Sequence, residues 1–290
     1  MPSTQLLQRR IKSVKSTRQI TKAMELVSAS KMRRATEVAQ SGRSYRMAAH
    51  DLLSRLTTVT DVNDHPLYVQ REIKARLYVA ITSDSGLAGA YNSNILKLLT
   101  KAALEDAKNG VKTKVIVIGK RGAQFVRRLN DIELVAAFPG FGDHPSANDI
   151  RPVLTSMVQL YLDKSVDDVQ LLYTVHQSNI LQVANAMSLL PARMDQADPN
   201  AVESLDSVTF EPSVTEVLDN VTERLLEVQI WQAMLESIAS EHSMRMLSMK
   251  NATDNANDII SDLTLAFNTA RQANITQEIA EVTGGAEAMK

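Results

Sequence analysis

From Ser213 to Thr283 the chain contains neither proline nor glycine. Over that stretch the core-type residues keep step with a heptad. Alternating steps of four and three from Val214 reach Leu218, Val221, Leu225, Val228, Gln232, Leu235, Ala239, His242, Met246, Met249, Thr253, Ala256, Ile260, Leu263, Phe267 and Ala270. Most are apolar or small, and a 3.5-residue repeat marks a coiled-coil seam. At 1.5 Å per residue the helix would be roughly 105 Å long. A compact chain of this size has a radius of gyration of about 19 Å. The helix is therefore expected to project as a shaft.

A second long helix is expected from Ser3 to Leu56, roughly 80 Å in length, with Ser3 as its cap and Gly42 as its internal weak point. Its apolar stripe, Leu7, Ile11, Val14, Met24, Val27, Met32, Ala35 and Val38, is interrupted by Thr17, Thr21 and Ser28. The net charge of −1 conceals a segregation. The first helix holds Arg9, Arg10, Lys12, Lys15, Arg18, Lys22, Lys31, Arg33, Arg34, Arg43 and Arg46 against Glu25 and Glu37. The last is rich in Asp and Glu.

Between them lie β-branched runs at Arg76–Ser83, Lys114–Gly119, Ile132–Phe138 and Asp168–Val175, with helical stretches at Asn92–Lys108, Arg121–Leu129 and Ser146–Lys164. Strands alternating with helices imply a Rossmann-like α/β domain with a largely parallel sheet. Ser207–Phe210 reads as a further strand, and Ile180–Asn200 fits neither pattern cleanly. The expected domains are a coiled-coil helix over 1–58, an α/β domain over 70–210 and a second coiled-coil helix over 212–286. Both helices join the domain at the same end, so they must run antiparallel. With Leu56 level with Ser213, paired residue numbers sum to about 269. That register sets Lys15 beside Asp254, Arg10 beside Asp258 and Arg9 near Asp262. From Phe267 onward the last helix has no partner within the chain.

Catalytic signals are weak. Ser83-Asp84-Ser85-Gly86-Leu87-Ala88-Gly89-Ala90-Tyr91-Asn92 is a strand-to-helix turn, but it lacks the Gly-Lys-Ser/Thr of a P-loop and does not match G-x-G-x-x-G. Its glycines read as close packing. His50, His65, His144, His176 and His242 show no metal-ligand spacing. Absence of cysteine excludes disulfides and thiolate metal sites. The basic helix lacks interleaved aromatics before Tyr45, and an acidic partner helix would neutralise it, which argues against nucleic acid. No apolar run reaches the ~20 residues of a membrane span. Ser146 with Asp149 reads as a capping box.

Ile20-Thr-Lys-Ala-Met-Glu-Leu-Val-Ser-Ala-Ser-Lys-Met-Arg-Arg34 resembles the N-terminal helix of the gamma subunit of F-type ATP synthases. Met246–Asn257 and Ile275–Ala286 resemble the same family's C-terminal helix and terminal signature. Thr82–Asn92 is similar to its first strand-turn-helix, which often reads Ser-Asp-Arg-Gly-Leu-Cys-Gly; Ser85 and Ala88 depart from that pattern. The resemblance implies a rotor inside a hexamer of alpha and beta subunits, standing on a membrane ring of c subunits with an epsilon subunit, and coupling proton or sodium flow to ATP synthesis or hydrolysis. It implies no catalytic residue, cofactor or metal in this chain, and a peripheral position on the cytoplasmic side of the cell membrane. It further implies that Met24, Arg245, Arg271, Gln272, Thr276, Glu278 and Glu281 meet the alpha and beta subunits. Without room for the regulatory insert of photosynthetic relatives, a non-photosynthetic bacterial member is expected. The competing reading from another class is a structural coiled-coil hinge or adaptor that self-associates through its central domain.

Overall fold

The computed structural model describes residues 4–59, 65–142, 145–178, 181–192 and 214–288; for 40–59, 147, 214–215 and 287–288 only the backbone path enters the description. The elements run α1 (Thr4–Val59), β1 (Ala75–Ile81), α2 (Tyr91–Lys108), β2 (Lys112–Ile118), α3 (Lys120–Val126), β3 (Glu133–Phe138), α4 (Ala147–Leu162), β4 (Asp168–His176), β5 (Gln182–Leu190) and α5 (Val214–Ala288). Two compact units are formed, Ala29–Met244 and the pair of segments Met1–Ser28 with Arg245–Lys290. The expected cap Ser3, the expected strand Ser207–Phe210 and His144 lie outside the described residues.

The first unit holds a five-stranded sheet in the order β3-β2-β1-β4-β5. The pairs β1/β2, β1/β4 and β2/β3 are parallel, whereas β4/β5 is antiparallel. Central strands of a parallel sheet are covered on both faces, so β1 and β2 are near-continuous apolar runs. Tyr78, Ala80, Val115 and Val117 face Ile95 and Leu99 of α2 with Ala123 and Val126 of α3. Leu77, Val79, Ile81, Ile116 and Leu171 face Ile150, Val153 and Met157 of α4 with Leu226, Ile230, Ala233 and Met234 of α5. Asp149 caps α4, accepting from the Ser146 N–H at 2.8 Å and its hydroxyl at 2.7 Å.

β5 corrects the ambiguous reading of Ile180–Asn200. Gln182-Val-Ala-Asn-Ala-Met-Ser-Leu-Leu has little β-branching, and most of its side chains are exposed or half-buried. Its backbone is recruited by β4, with pairs from Val169↔Leu190 to His176↔Gln182. Tertiary pairing here overrides a weak local preference. α5 also departs from a single seam within this unit. From Leu225 to Ser240 its residues are buried on every side apart from partial exposure at Gln229, Trp231 and Glu236.

In the second unit α1 and α5 pair antiparallel, and α5 shows the expected seam. Met249, Thr253, Ala256 and Ala270 are buried, Met246, Ile260, Leu263 and Phe267 are half-buried, and residues between them are mostly exposed. The α1 seam differs from expectation. Leu7, Thr21 and Ser28 are buried, with Ile11, Val14, Arg18 and Met24 half-buried, while Val27 is 54% exposed. Thr21 and Ser28 therefore belong to the seam rather than interrupting it, because hydroxyls can be buried when a partner accepts or donates.

Candidate functional site

The turn after β1 is the place where an α/β sheet would cradle a phosphate. Here the chain's own side chains occupy it. The Asp84 carboxylate accepts from the Lys120 N–H at 2.8 Å and from the Gly140 N–H at 3.0 Å, tying together the turns that follow β1, β2 and β3. Thr82 donates its hydroxyl to the Ile118 carbonyl at 2.8 Å and accepts the Gly122 N–H at 3.0 Å. Asn92 returns from α2 to accept the Ser83 N–H at 3.0 Å. Gly119 has φ 101°, and a Cβ there would lie 2.1 Å from the Thr82 carbonyl oxygen, so close approach demands glycine. A carboxylate already fixed on the N–H donors would repel an incoming phosphate.

The strand order reverses between β1 and β4, and the crevice at such a switch point is the usual ligand site. In this unit α5 fills it. β1 leaves its pairing with β4 at Ala80↔Leu172. Two residues further along β4, the Thr174 N–H donates to the Ser237 hydroxyl oxygen at 3.4 Å, and the Ser240 hydroxyl donates to the Thr174 carbonyl at 3.2 Å. Ser237 also shares a hydrogen bond with the Tyr91 hydroxyl at 2.8 Å, and Gln182 donates to Ser243 at 2.9 Å. His176 at the end of β4 is held below its ordinary pKa by burial, with Glu236 opposing that shift.

Two clusters of ionisable groups in this unit are bonded internally. Arg76 donates to Asp168 at 2.7 Å and also pairs with Asp106, while the Tyr78 hydroxyl donates to Asp106 at 2.8 Å. Burial raises the Tyr78 pKa, and the bond to Asp106 adds to it. The buried Glu227 receives Arg151 at 3.4 Å and also pairs with Arg224. These arrangements fix helices and strand ends. No group of three or more metal-binding side chains occurs among the described residues.

In the helical unit the cross-helix polar contacts define the register. Thr253 and Thr21 bring their hydroxyl oxygens to 2.8 Å, and Arg18 donates to the Asn257 side-chain oxygen at 3.2 Å. The paired numbers sum to 274 and 275, about one and a half helical turns from the expected 269. The expectation was anchored on helix ends at Leu56 and Ser213, whereas α1 runs on to Val59 and α5 begins at Val214. The shift moves Arg10 and Lys15 off Asp258 and Asp254, and among the described residues neither pair forms an ion pair within 4.0 Å. All four side chains are exposed. Met24 and Arg245 are five positions from level, roughly 7.5 Å along the axis. Arg245 is buried and Met24 half-buried.

Beyond Ala270 the helix is exposed, apart from half-buried Ala273, through Ala286. Arg271, Gln272, Thr276, Glu278 and Glu281 all lie in this section. Thr276 donates to the Gln272 carbonyl at 2.9 Å, and Gln277 donates to Glu281 at 2.9 Å. Ile275, Ile279 and Val282 recur at helical spacing beside them and are 47%, 61% and 73% exposed. The sequence reading passed over these three and the buried serines of α5. Spacing would have revealed the first set; the second needed the position of β4.

Among the described residues, two long terminal helices flank in sequence an α/β unit whose turn after β1 is occupied by the chain's own side chains, which defines a class of helix-flanked α/β proteins. The family model described as ATP synthase matches residues 3–289. The ATP synthase gamma chain of Symbiobacterium thermophilum is 43% identical over 287 residues, covering 98% of this chain and 97% of that one. That of Moorella thermoacetica is 39% identical over 284 residues, covering 98% of each. Among solved structures, a chain of the Euglena gracilis mitochondrial ATP synthase (OSCP/F1/c-ring) has a TM-score of 0.70 at 18% identity, covering 99% of this chain and 94% of that one. A chain of the Tetrahymena thermophila mitochondrial ATP synthase central stalk and c-ring gives 0.62 at 24% identity, covering 80% and 99%. The chain belongs to the ATP synthase gamma chain family, the central-stalk subunit of rotary ATP synthases. Among the described residues no helix is long and apolar enough to cross a membrane.

Proposed function

We propose that this chain is the rotor shaft that couples proton or sodium flow through a membrane ring of c subunits to ATP synthesis or hydrolysis on catalytic beta subunits. It makes no bond in the substrate itself. In this reading its partners are the alpha and beta subunits, an epsilon subunit and the c ring, and it lies peripherally on the cytoplasmic side of the cell membrane. The observation that carries the reading is an α5 that continues for 75 residues and leaves its last section uncovered by any described segment of the chain. A force-transmitting part needs such stiffness and such an exposed end.

Met24, Arg245, Arg271, Gln272, Thr276, Glu278 and Glu281 are proposed to meet the alpha and beta subunits. The exposed section suits a bearing, since contacts of about 0.5–1.5 kcal/mol guide a shaft without arresting it. The test is reconstitution of alpha, beta and epsilon with and without this chain on ring-containing vesicles. ATP-driven ion uptake that depends on the chain is expected; uptake of equal size without it would reject the reading. Equilibrium dialysis of the isolated chain against ATP is expected to show no stoichiometric binding.

A further inference from the structure

We infer that Ser237 and Ser240 are positioning residues that key α5 to the α/β unit, fixing its height and its rotational phase so that turning force passes from the unit into the helix. The inference rests on the rotor reading and deepens it. Burial alone is a poor key, because the hydrophobic effect is non-directional. Close packing of apolar side chains also resists rotation of the helix, but spreads that preference over many weak contacts. Hydrogen bonds supply the missing direction.

The key sits where β1 has run out. Thr174 is itself buried, and its backbone N–H and C=O both point at α5, where Ser237 and Ser240 satisfy them. The two serines therefore continue the sheet's ladder with side-chain groups in place of the missing strand. Ser243, two helical steps of three beyond Ser237, receives Gln182 from β5, and all three serines are fully buried. Tyr91 ties Ser237 to the start of α2, so one hydroxyl joins α5 to elements from both sides of the switch point. Turning α5 by one residue step, about 100°, would take the serines away and set other side chains against an unpaired N–H and C=O.

The experiment compares wild type with S237A/S240A in the complete membrane complex in sealed vesicles, measuring ATP hydrolysis and ATP-driven ion uptake together, with thermal melting of the complex as a control. Wild type must show coupled uptake; if it does not, the rotor reading fails and the key is not at issue. With coupling present, the double variant is expected to hydrolyse ATP within about twofold of wild type while ions moved per ATP fall several-fold, because slip at a weakened joint spares the catalytic sites. An unchanged ratio, or hydrolysis and uptake falling in proportion, would overturn the proposal. Should the double variant fail to assemble, S240C, close in shape but a weaker hydrogen-bond donor, is judged by the same ratio.

Discussion

One helix lives in two environments. Between Leu225 and Ser240, α5 is enclosed on nearly every side by strands and helices; between Met246 and Ala270 it buries one residue in every three or four. The first region uses Leu226, Ile230, Ala233, Met234 and Ile238 to fill a sheet-backed core. The second relies on a narrow seam facing a single helix. The contrast shows that continuity of secondary structure says little about how a helix is held. Enclosure makes for stability, whereas a seam leaves most of the surface available to others.

The largest effect that could break this comparison comes from paired truncations of like residues. Ile230→Ala removes a fully buried side chain and should cost about 2–5 kcal/mol. Ile260→Ala, on the half-buried seam, should cost about 1 kcal/mol, because a smaller area is lost. Denaturant unfolding of the purified chain measures both, and equal costs would erase the distinction. Next in size is the charge contrast. Glu227→Ala strips Arg151 and Arg224 of a buried acceptor and should destabilise by about 1–3 kcal/mol. Lys22→Ala, from a more exposed pair with Glu25, should change stability by about 0.2–0.5 kcal/mol.

The Thr21–Thr253 contact sharpens the picture inside the seam. Thr253→Val keeps the shape but removes one hydroxyl, and a loss of about 0.5–1.5 kcal/mol is expected. A gain in stability would mean that the seam prefers to be apolar throughout. The smallest effect should follow from cutting the chain after Glu281. Residues 282–286 are exposed, so the melting temperature of the isolated chain should stay unchanged. Further cuts toward Arg271 should progressively slow ATP-driven rotation of the assembled complex while still sparing stability. Abolished hydrolysis on removal of Met289 and Lys290 alone would rule out the bearing role.

The seam from Met246 to Ala270 was readable because pairing with one helix imposes a period on the sequence. β1, β2 and β4 were readable for a similar reason, since strands buried on both faces tend to be apolar runs; β3, a half-exposed edge strand, showed only through its own apolar residues. β5 was not, because its pairing with β4 comes from the neighbouring backbone rather than its own side chains. Thr21 and Ser28 looked like gaps until their burial was seen; a hydroxyl in a seam makes sense only when its partner is known. Register failed by about one and a half turns because it inherited errors from both helix ends. Ser237 and Ser240 gave no signal at all, since serine in a helix is ordinary and Thr174 lies more than sixty residues away.

The Thr21–Thr253 bond has a further consequence. Thr21 can donate to the Arg18 carbonyl at 3.0 Å, and Thr253 can donate to the Met249 carbonyl at 2.8 Å. Each hydroxyl carries one proton, so only one of those local bonds can form while the two oxygens share a bond with each other. The protons can run from Thr253 through Thr21 to Arg18, or from Thr21 through Thr253 to Met249. Both orders keep the helices joined, and a concerted rotation of two hydroxyls interconverts them without moving a heavy atom. The joint is therefore degenerate: it is fixed in position yet retains a choice of polarity, and that residual disorder lowers the entropic cost of holding two helices together.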